Sequence, residues 1–386
     1  MKLSLNWLNN YLTDQVNWDD VLHKLTMAGI EIESVTSVNI AADSSDKIIE
    51  FKVTPNRGDC LSVLGILREI AVLIDVKVNF PPQSLLYVPA AEDQIAIKVN
   101  EHAKCPNYLA LVVKGIDNNV QLPQLILSRL ESSGIRSISP VVDITNYVML
   151  ELGQPLHAFD KDQIGDLLQV RLAISGEKLK LLDGGEVSLT NDTLVICDAN
   201  NQVVAIAGVM GGESSSVISS TKNIVLESAF FIPEVIAGRA KHYGVSSDSA
   251  YRFERGVDPK LQELAIKYTA ALIIQYCGGQ IGTISTKIDP HITKNINLKY
   301  KTITSLLGMK LTTLEINNIL DRLGFVFIQK NDNEAIIEVP SHRFDINILE
   351  DIVEEVARVY GYDRILPVDY LPGKHRKRLK YLNMEY

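Results

Sequence analysis

The sequence predicts an α+β protein: a central mixed α+β domain between two copies of a small helix-and-hairpin module. Three observations carry the prediction. A helix ended by Gly, an alternating strand, a turn, a return strand, a Pro, an Arg-x-Asp triplet and a further helix occur in that order near each end of the chain. The triplet is Arg57-Gly-Asp59 in one copy and Arg343-Phe-Asp345 in the other. Between the copies, short alternating runs come in clusters separated by helical stretches. The 386 residues are 46% hydrophobic, enough for several ordinary cores. Boundaries are expected at 1–80 for the first module, 81–93 for a linker opening on Pro81-Pro82, 94–290 for the central domain, 291–367 for the second module and 368–386 for a basic tail. Convergence on a common α+β pattern is the alternative to a true repeat.

In the first module Asn17 precedes Trp18-Asp-Asp-Val and suits an N-cap, with Val21, Leu22 and Leu25 on the buried face. Gly29 ends that helix, and Ile30-Glu-Ile-Glu-Ser-Val alternates as a strand. A polar loop at 41–46 leads to a second strand at 48–54, and Asp59 is expected to cap a helix from Cys60 to about Leu73. In the second module Thr312-Thr-Leu-Glu315 is a capping box for a helix buried through Ile316, Ile319, Leu320 and Leu323. Strands at 325–329 and 335–339 flank a turn, and Asp345 is expected to cap a helix from Ile346 to Tyr360. In the central domain, strands are expected at 95–99, 108–113, 168–173, 193–197, 202–206 and 223–231. Asp183-Gly-Gly-Glu and Asn200-Asn-Gln are hairpin turns between them. Helices are expected at 123–132, along the run up to Leu152, and at 259–277, with Gly153 and Gly278 as stops.

Net charge is −9. A protein dedicated to coating nucleic acid is normally basic, so any RNA contact must use local patches or a partner subunit. The one clearly basic run is Lys374, Arg376, Lys377, Arg378 and Lys380. No apolar run approaches the ~20 residues of a membrane span, and Met1-Lys-Leu-Ser-Leu-Asn-Trp has no signal-peptide pattern. Cys60, Cys105, Cys197 and Cys277 lie far apart with no paired spacing. They point to neither zinc nor a disulfide framework and fit a reducing cytoplasm.

The chemistry is sought first in the run from Val141 to Asp160. Its helix carries Asp143, Thr145 and Asn146 among apolar residues, and the turn beyond Gly153-Gln-Pro155 delivers His157. Polar groups in such a place must be hydrogen-bonded, so they either wall a polar pocket or are satisfied structurally, Thr145 by its own helix and His157 in the core. Gly208-Val-Met-Gly-Gly-Glu213 directly follows a strand, which lets a ligand approach the backbone, or is a plain turn. Glu227 sits in an apolar strand, either buried at a cost or at an edge reaching water. The segment from Gly238 to Asp258 is read as a loop. Its Arg239, Lys241, Arg252 and Arg255 suit phosphates, or form a solvated charged face with internal pairing. Finally Asp351, Glu354 and Glu355 fall at i, i+3, i+4 with Asp345 nearby. They suit a hard cation such as Mg²⁺, or an acidic face paired with Arg358.

Asp143-Ile-Thr-Asn-Tyr-Val together with Leu152-Gly-Gln-Pro-Leu-His-Ala-Phe-Asp160 resembles the B3/B4 module of the bacterial phenylalanyl-tRNA synthetase beta-subunit family. The resemblance runs over nearly the whole chain, to about Pro367. It implies that the flanking copies are B1-like and B5-like, with a winged-helix-like form. It also implies that the central domain hydrolyses tyrosine wrongly attached to phenylalanine tRNA. Carried over by motif, the editing pocket is Thr145, His157, Gly208, Glu227, Ser247 and Ser249. Glu227 would accept a hydrogen bond from the tyrosine phenol, which discriminates against phenylalanine by roughly 10⁴–10⁵ in favourable cases. Ser247 stands where the family often has Thr, and Ser249 where a small apolar Ala is common. The same resemblance implies that Asp345, Asp351, Glu354 and Glu355 bind Mg²⁺ at the junction with a catalytic alpha subunit. The alpha subunit and tRNA(Phe) are the implied partners, and ATP serves the holoenzyme rather than this chain. No DNA or membrane partner is expected.

The family's tRNA-binding barrel, which interrupts the first module, is replaced here by the short loop at 43–47, and its C-terminal modules have no counterpart. The expected function is therefore that of a shortened beta subunit, supporting attachment of phenylalanine to its tRNA and editing of tyrosyl-tRNA(Phe). A free-standing hydrolase of mischarged tRNA and an RNA-binding or scaffold remnant are the alternatives.

Overall fold

A computed structural model describes residues 1–41, 44–79, 92–290 and 293–365. Most of the expected linker, Pro367 and the whole basic tail from Lys374 to Lys380 lie outside the described residues, as do positions 42 and 43 of the loop.

The two modules share one topology. In the first, strand Lys2–Ser4 is followed by helices Leu5–Asn9 and Trp18–Met27, the hairpin Glu31–Ala41 with Ser44–Lys52, and helix Val63–Ile74. In the second, strand Asn295–Lys299 is followed by helices Tyr300–Leu307 and Thr313–Arg322, the hairpin Val326–Lys330 with Glu334–Glu338, and helix Leu349–Tyr360. Both form a three-stranded antiparallel sheet with the last strand in the middle. The opening strand of each copy was missed in the sequence, because three to five residues beside a helix carry little alternation. Asn17 caps its helix by accepting from the Asp19 and Asp20 amides, and the Thr312–Glu315 capping box forms.

The two Arg-x-Asp triplets were misread in the same way. Neither Asp59 nor Asp345 caps a helix. Each takes a two-pronged bond from the arginine two residues before it, with both contacts at 2.9 Å in each copy. The following helices begin later, at Val63 under a Ser62 cap and at Leu349, where the Asp351 carboxylate accepts from the Ile348 amide. Arg57 also donates to Glu69 at 2.5 Å and Arg343 to Glu355 at 2.6 Å, twelve residues on in both copies. Arg358 joins the copies, donating to Glu69 at 2.5 Å and to Glu355 at 2.6 Å. Arg57, Glu69, Arg343, Glu355 and Arg358 are all buried, so each charge depends on its partners.

The central domain has three layers. One sheet runs in the order Gln280–Ile281, Asn107–Lys114, Asn223–Phe230, Leu156–Asp160, with Ser285–Ile288 also pairing Asn107–Lys114. Alternation along Asn107–Lys114 divides its faces. Leu109, Leu111 and Val113 face helices Gln124–Ser132, Pro140–Leu152 and Gln262–Cys277. Tyr108, Ala110 and Val112 face a second sheet, Met210–Gly211, Val203–Ile206, Leu194–Cys197, Leu167–Leu172, Ala96–Val99, whose last pair is parallel.

Helix Pro140–Leu152 is anchored on both ends. Gly153 stops it at φ +83°. Asp143 accepts from the Ile138 amide at 2.8 Å, which ties the preceding loop to the helix. Near its end the fully buried Glu151 accepts from Trp7 Nε1 at 3.2 Å and from the Tyr11 and Tyr147 hydroxyls, docking the first module onto this helix.

Candidate active site

One cavity of about 490 Å³ opens between the two sheets and the Pro140–Leu152 helix. All six residues expected in the pocket line it: Thr145, His157, Gly208, Glu227, Ser247 and Ser249. His157 and Glu227 are direct partners across the antiparallel pair of Leu156–Asp160 and Asn223–Phe230, and both side chains fall on the face turned to the second sheet. Glu227 is not at an edge. Its strand lies inside the sheet and the residue is buried.

Thr145 takes its structural role, donating to the Val142 carbonyl at 2.7 Å, and presents its oxygen to the cavity from there. His157 does not: its Nε2 is buried without a partner. Glu227 Oε2 is likewise buried and unpaired. Burial in this apolar setting holds the imidazole down at about 4 and pushes the carboxyl up to about 8. The phenol of Tyr108 approaches Glu227 and opposes the second shift, while its hydroxyl stays outside full hydrogen-bond geometry. At neutral pH the pocket therefore holds a neutral imidazole opposite a protonated carboxyl.

Gly208 occupies the third position of the turn closed by the Val209 amide on the Ile206 carbonyl, at φ +68°. A Cβ there would meet Phe231, Ile236 and Phe253 at 3.0–3.1 Å. Ser247 caps helix Asp248–Phe253, accepting from the Ala250 amide at 3.1 Å and donating to the Val209 carbonyl at 2.6 Å, so it fastens that turn to the pocket wall. The segment read as a loop from Gly238 to Asp258 thus contains two short helices, Arg239–His242 and Asp248–Phe253. Their few turns are too short to show apolar periodicity. Gly211, in the segment read either as an approach for a ligand or as a plain turn, lines the pocket: a Cβ on it would lie 2.6 Å from Cε1 and 2.8 Å from Nε2 of His157. Asn146, read as a polar residue of the helix that could wall a pocket, does line it, and Met149 and Ile138, which were passed over, complete the helix-side wall.

Two family models match the chain, the B3/4 domain over residues 104–278 and the tRNA synthetase B5 domain over 296–362. A phenylalanine--tRNA ligase beta subunit from Photorhabdus laumondii is 46% identical over 340 residues, covering 86% of this chain and 42% of the relative. One from Pseudomonas fluorescens is 46% identical over 333 residues, covering 85% and 41%. This chain belongs to the phenylalanyl-tRNA synthetase beta-subunit family. It spans about two fifths of the length of the curated relatives it matches. A crystal structure of an N-terminal fragment of the phenylalanyl-tRNA synthetase beta subunit from Pyrococcus horikoshii has the same fold, with a TM-score of 0.51 at 17% identity, covering 93% of this chain and 99% of that one.

Within this family member the four basic candidates part company. Arg252 is buried and donates to the Leu61 carbonyl and to Asp248, bridging the central domain to the first module. It is structural and unavailable to phosphate. Arg255 lies 3.6 Å from the centre of the Tyr251 ring and pairs with Glu254, and Arg239 pairs with Asp192 at 2.6 Å. Lys241 is exposed.

The four acidic candidates do not gather. Asp345 is held by Arg343, Glu355 by Arg343 and Arg358, and Asp351 accepts from the Asn347 and Ile348 amides, while Glu354 points to solvent. The guanidinium groups compensate the charge that a cation would need, so the set as arranged here does not fit Mg²⁺. Their i, i+3, i+4 spacing was read as one face, whereas Glu355 turns inward and Glu354 outward. Among the described residues, the acidic and thiol groups that do gather are Asp59, Cys60 and Glu69, and Arg57 already occupies their midst.

Proposed function

We propose that this chain supplies the hydrolytic editing pocket of a phenylalanine--tRNA ligase beta subunit, clearing tyrosine from tyrosyl-tRNA(Phe), and that it works with the alpha subunit in attaching phenylalanine. The single observation that carries the reading is the meeting of all six motif residues around one cavity, with His157 directly opposite Glu227 and both presenting unpaired buried atoms. Its volume is in the range of small-ligand pockets, and its wall is apolar apart from a few polar groups, as an aromatic amino acid requires.

In this reading the tyrosine ring enters between Met149 and the Gly208–Gly211 segment, and its hydroxyl meets Glu227. A neutral carboxyl accepts that hydroxyl through its carbonyl oxygen. Phenylalanine would leave Glu227 unpaired, and that penalty is the source of selectivity. Water attacks the ester carbonyl, the bond to the ribose oxygen breaks, and tyrosine and deacylated tRNA leave. The Gly208 amide has no protein acceptor among the described residues, and in this reading it donates to the oxygen of the ester. The neutral imidazole of His157 orients the attacking water. Ser249 adds a hydroxyl to the wall, and Lys241 is the basic candidate left for the tRNA backbone. Mg²⁺ and ATP are assigned to chemistry in the holoenzyme, and the cytoplasm is the compartment this role requires.

The test is release of tyrosine from tyrosyl-tRNA(Phe) by the full chain, alone and with the alpha subunit, beside His157→Ala and Glu227→Ala. Loss in both variants is expected. Wild-type release no faster than the blank in either setting would end the reading. Because the cavity is built within residues 135–253, a free-standing hydrolase is the second reading. Full activity without alpha, together with no co-purification, would favour it.

A further inference from the structure

Three buried polar atoms without protein partners lie on one face of three adjacent strands: the Tyr108 hydroxyl, Glu227 Oε2 and His157 Nε2. Folded proteins leave few such atoms, and three neighbours call for a common explanation. The register places them. Glu227 is opposite His157 on one side and Ala110 on the other, and Tyr108 is opposite Ala229. Tyr108 is therefore the diagonal neighbour of Glu227, a spacing that an aromatic side chain spans. Unlike the other two, Tyr108 does not line the cavity and is fully buried. It stands behind Glu227. The titratable groups facing Glu227 are His157 from one neighbouring strand, Tyr108 from the other, and Cys105 just before that strand.

We propose that Tyr108 is a positioning residue of the pocket: its phenol holds the rear oxygen of the Glu227 carboxyl so that the front oxygen meets the hydroxyl of a bound aromatic amino acid. The ligand's identity rests on the editing reading above; the Tyr108–Glu227 contact rests on the strand register. A Glu carboxyl turns freely about its last torsion, which has broad preferences. In the neutral acid the rear oxygen carries the proton and donates to the phenol oxygen, which leaves the carbonyl oxygen in front to accept from the ligand; in the carboxylate the phenol donates to the rear oxygen, and that charge-assisted bond is the stronger one. The same donor stabilises the charged form of the carboxyl, in agreement with the direction in which Tyr108 acts on it.

Two measurements on the full chain test this with Tyr108→Phe, which keeps the ring. The first follows the Glu227 carboxyl by infrared spectroscopy across pH, its band assigned by its loss in Glu227→Gln. Removing the phenol should move the midpoint of ionisation upward, by about half a pH unit or more. An unmoved midpoint would overturn the proposal, whatever the pocket binds. The second compares hydrolysis of tyrosyl- and phenylalanyl-tRNA(Phe). Tyr108→Phe should raise KM for the tyrosyl substrate about three- to tenfold, the worth of one neutral hydrogen bond, with kcat and the phenylalanyl substrate little changed. Equal losses on both substrates would mean a merely structural role and would also overturn it. If wild type hydrolyses neither substrate, the editing reading fails while the infrared midpoint still decides the Tyr108 contact.

Discussion

Glu227→Gln should stabilise the unliganded protein, and the gain should grow with pH. Burial pushes the folded carboxyl up to about 8 from an ordinary 4.5, with Tyr108 opposing. Between those values the folded chain keeps a proton that the unfolded chain has released. Stability then falls as pH rises, because the unfolded state binds fewer protons. At about 1.4 kcal/mol per pH unit, the loss reaches about 3 kcal/mol at pH 7 and levels off at about 5 kcal/mol above pH 8. Glutamine has the same shape and does not titrate, so the variant escapes this loss. His157 acts in the opposite sense: it is held down at about 4 by burial, so its contribution is full above 6.5 and is lost as pH falls through 4. Being common to both proteins, it cancels in the difference. The assay is urea unfolding of both proteins at pH 5, 6, 7 and 8. The difference in stability should be small at pH 5 and widen steadily to pH 8. A constant difference across that range would refute the argument, since it would mean that Glu227 does not carry an extra proton in the folded state.

Gly211→Ala should displace the His157 imidazole, because the new methyl would stand 2.6 Å from Cε1; tyrosine release should fall on the order of tenfold or more while circular dichroism stays native. Arg358→Ala should cost about 3–5 kcal/mol in denaturant unfolding, since it strips one of two guanidinium partners from both Glu69 and Glu355 in a buried network. The exposed Lys24–Asp20 pair, broken by Lys24→Ala, should cost less than about 1 kcal/mol in the same experiment. Arg252→Ala should lower stability without changing the salt slope of tRNA binding, whereas Lys241→Ala should weaken tRNA binding and reduce that slope at unchanged stability; a filter-binding titration across salt concentrations separates the two.

Local chemistry was read well wherever neighbours in the chain do the work. Asn17 and Thr312 cap because the amides they satisfy lie two or three residues on. Gly153 stops a helix because its φ of +83° suits no side chain well. The repeat was visible because the module's order of elements is written twice. Asp59 and Asp345 misled because a carboxylate before a helix has two uses, capping and pairing, and an arginine two residues away in the same turn wins at close range. Arg252 misled for a related reason: in a polar segment nothing local reveals that its partner is the Leu61 carbonyl, 191 residues away.

By itself the sequence determined most of the elements, the duplicated module and, through motif, the set of six residues that belong together. The tertiary structure alone decided what those residues experience. Opposite register across two strands turned His157 and Glu227 toward each other, and closure of the second sheet over them removed water and drove their proton affinities in opposite directions. It also decided that the acidic residues of the last helix serve arginines, because Arg358 reaches back across 289 residues to Glu69. Pattern along a chain reports periodicity and spacing; burial and charge balance are properties of what packs against each group, and those neighbours come from distant parts of the sequence.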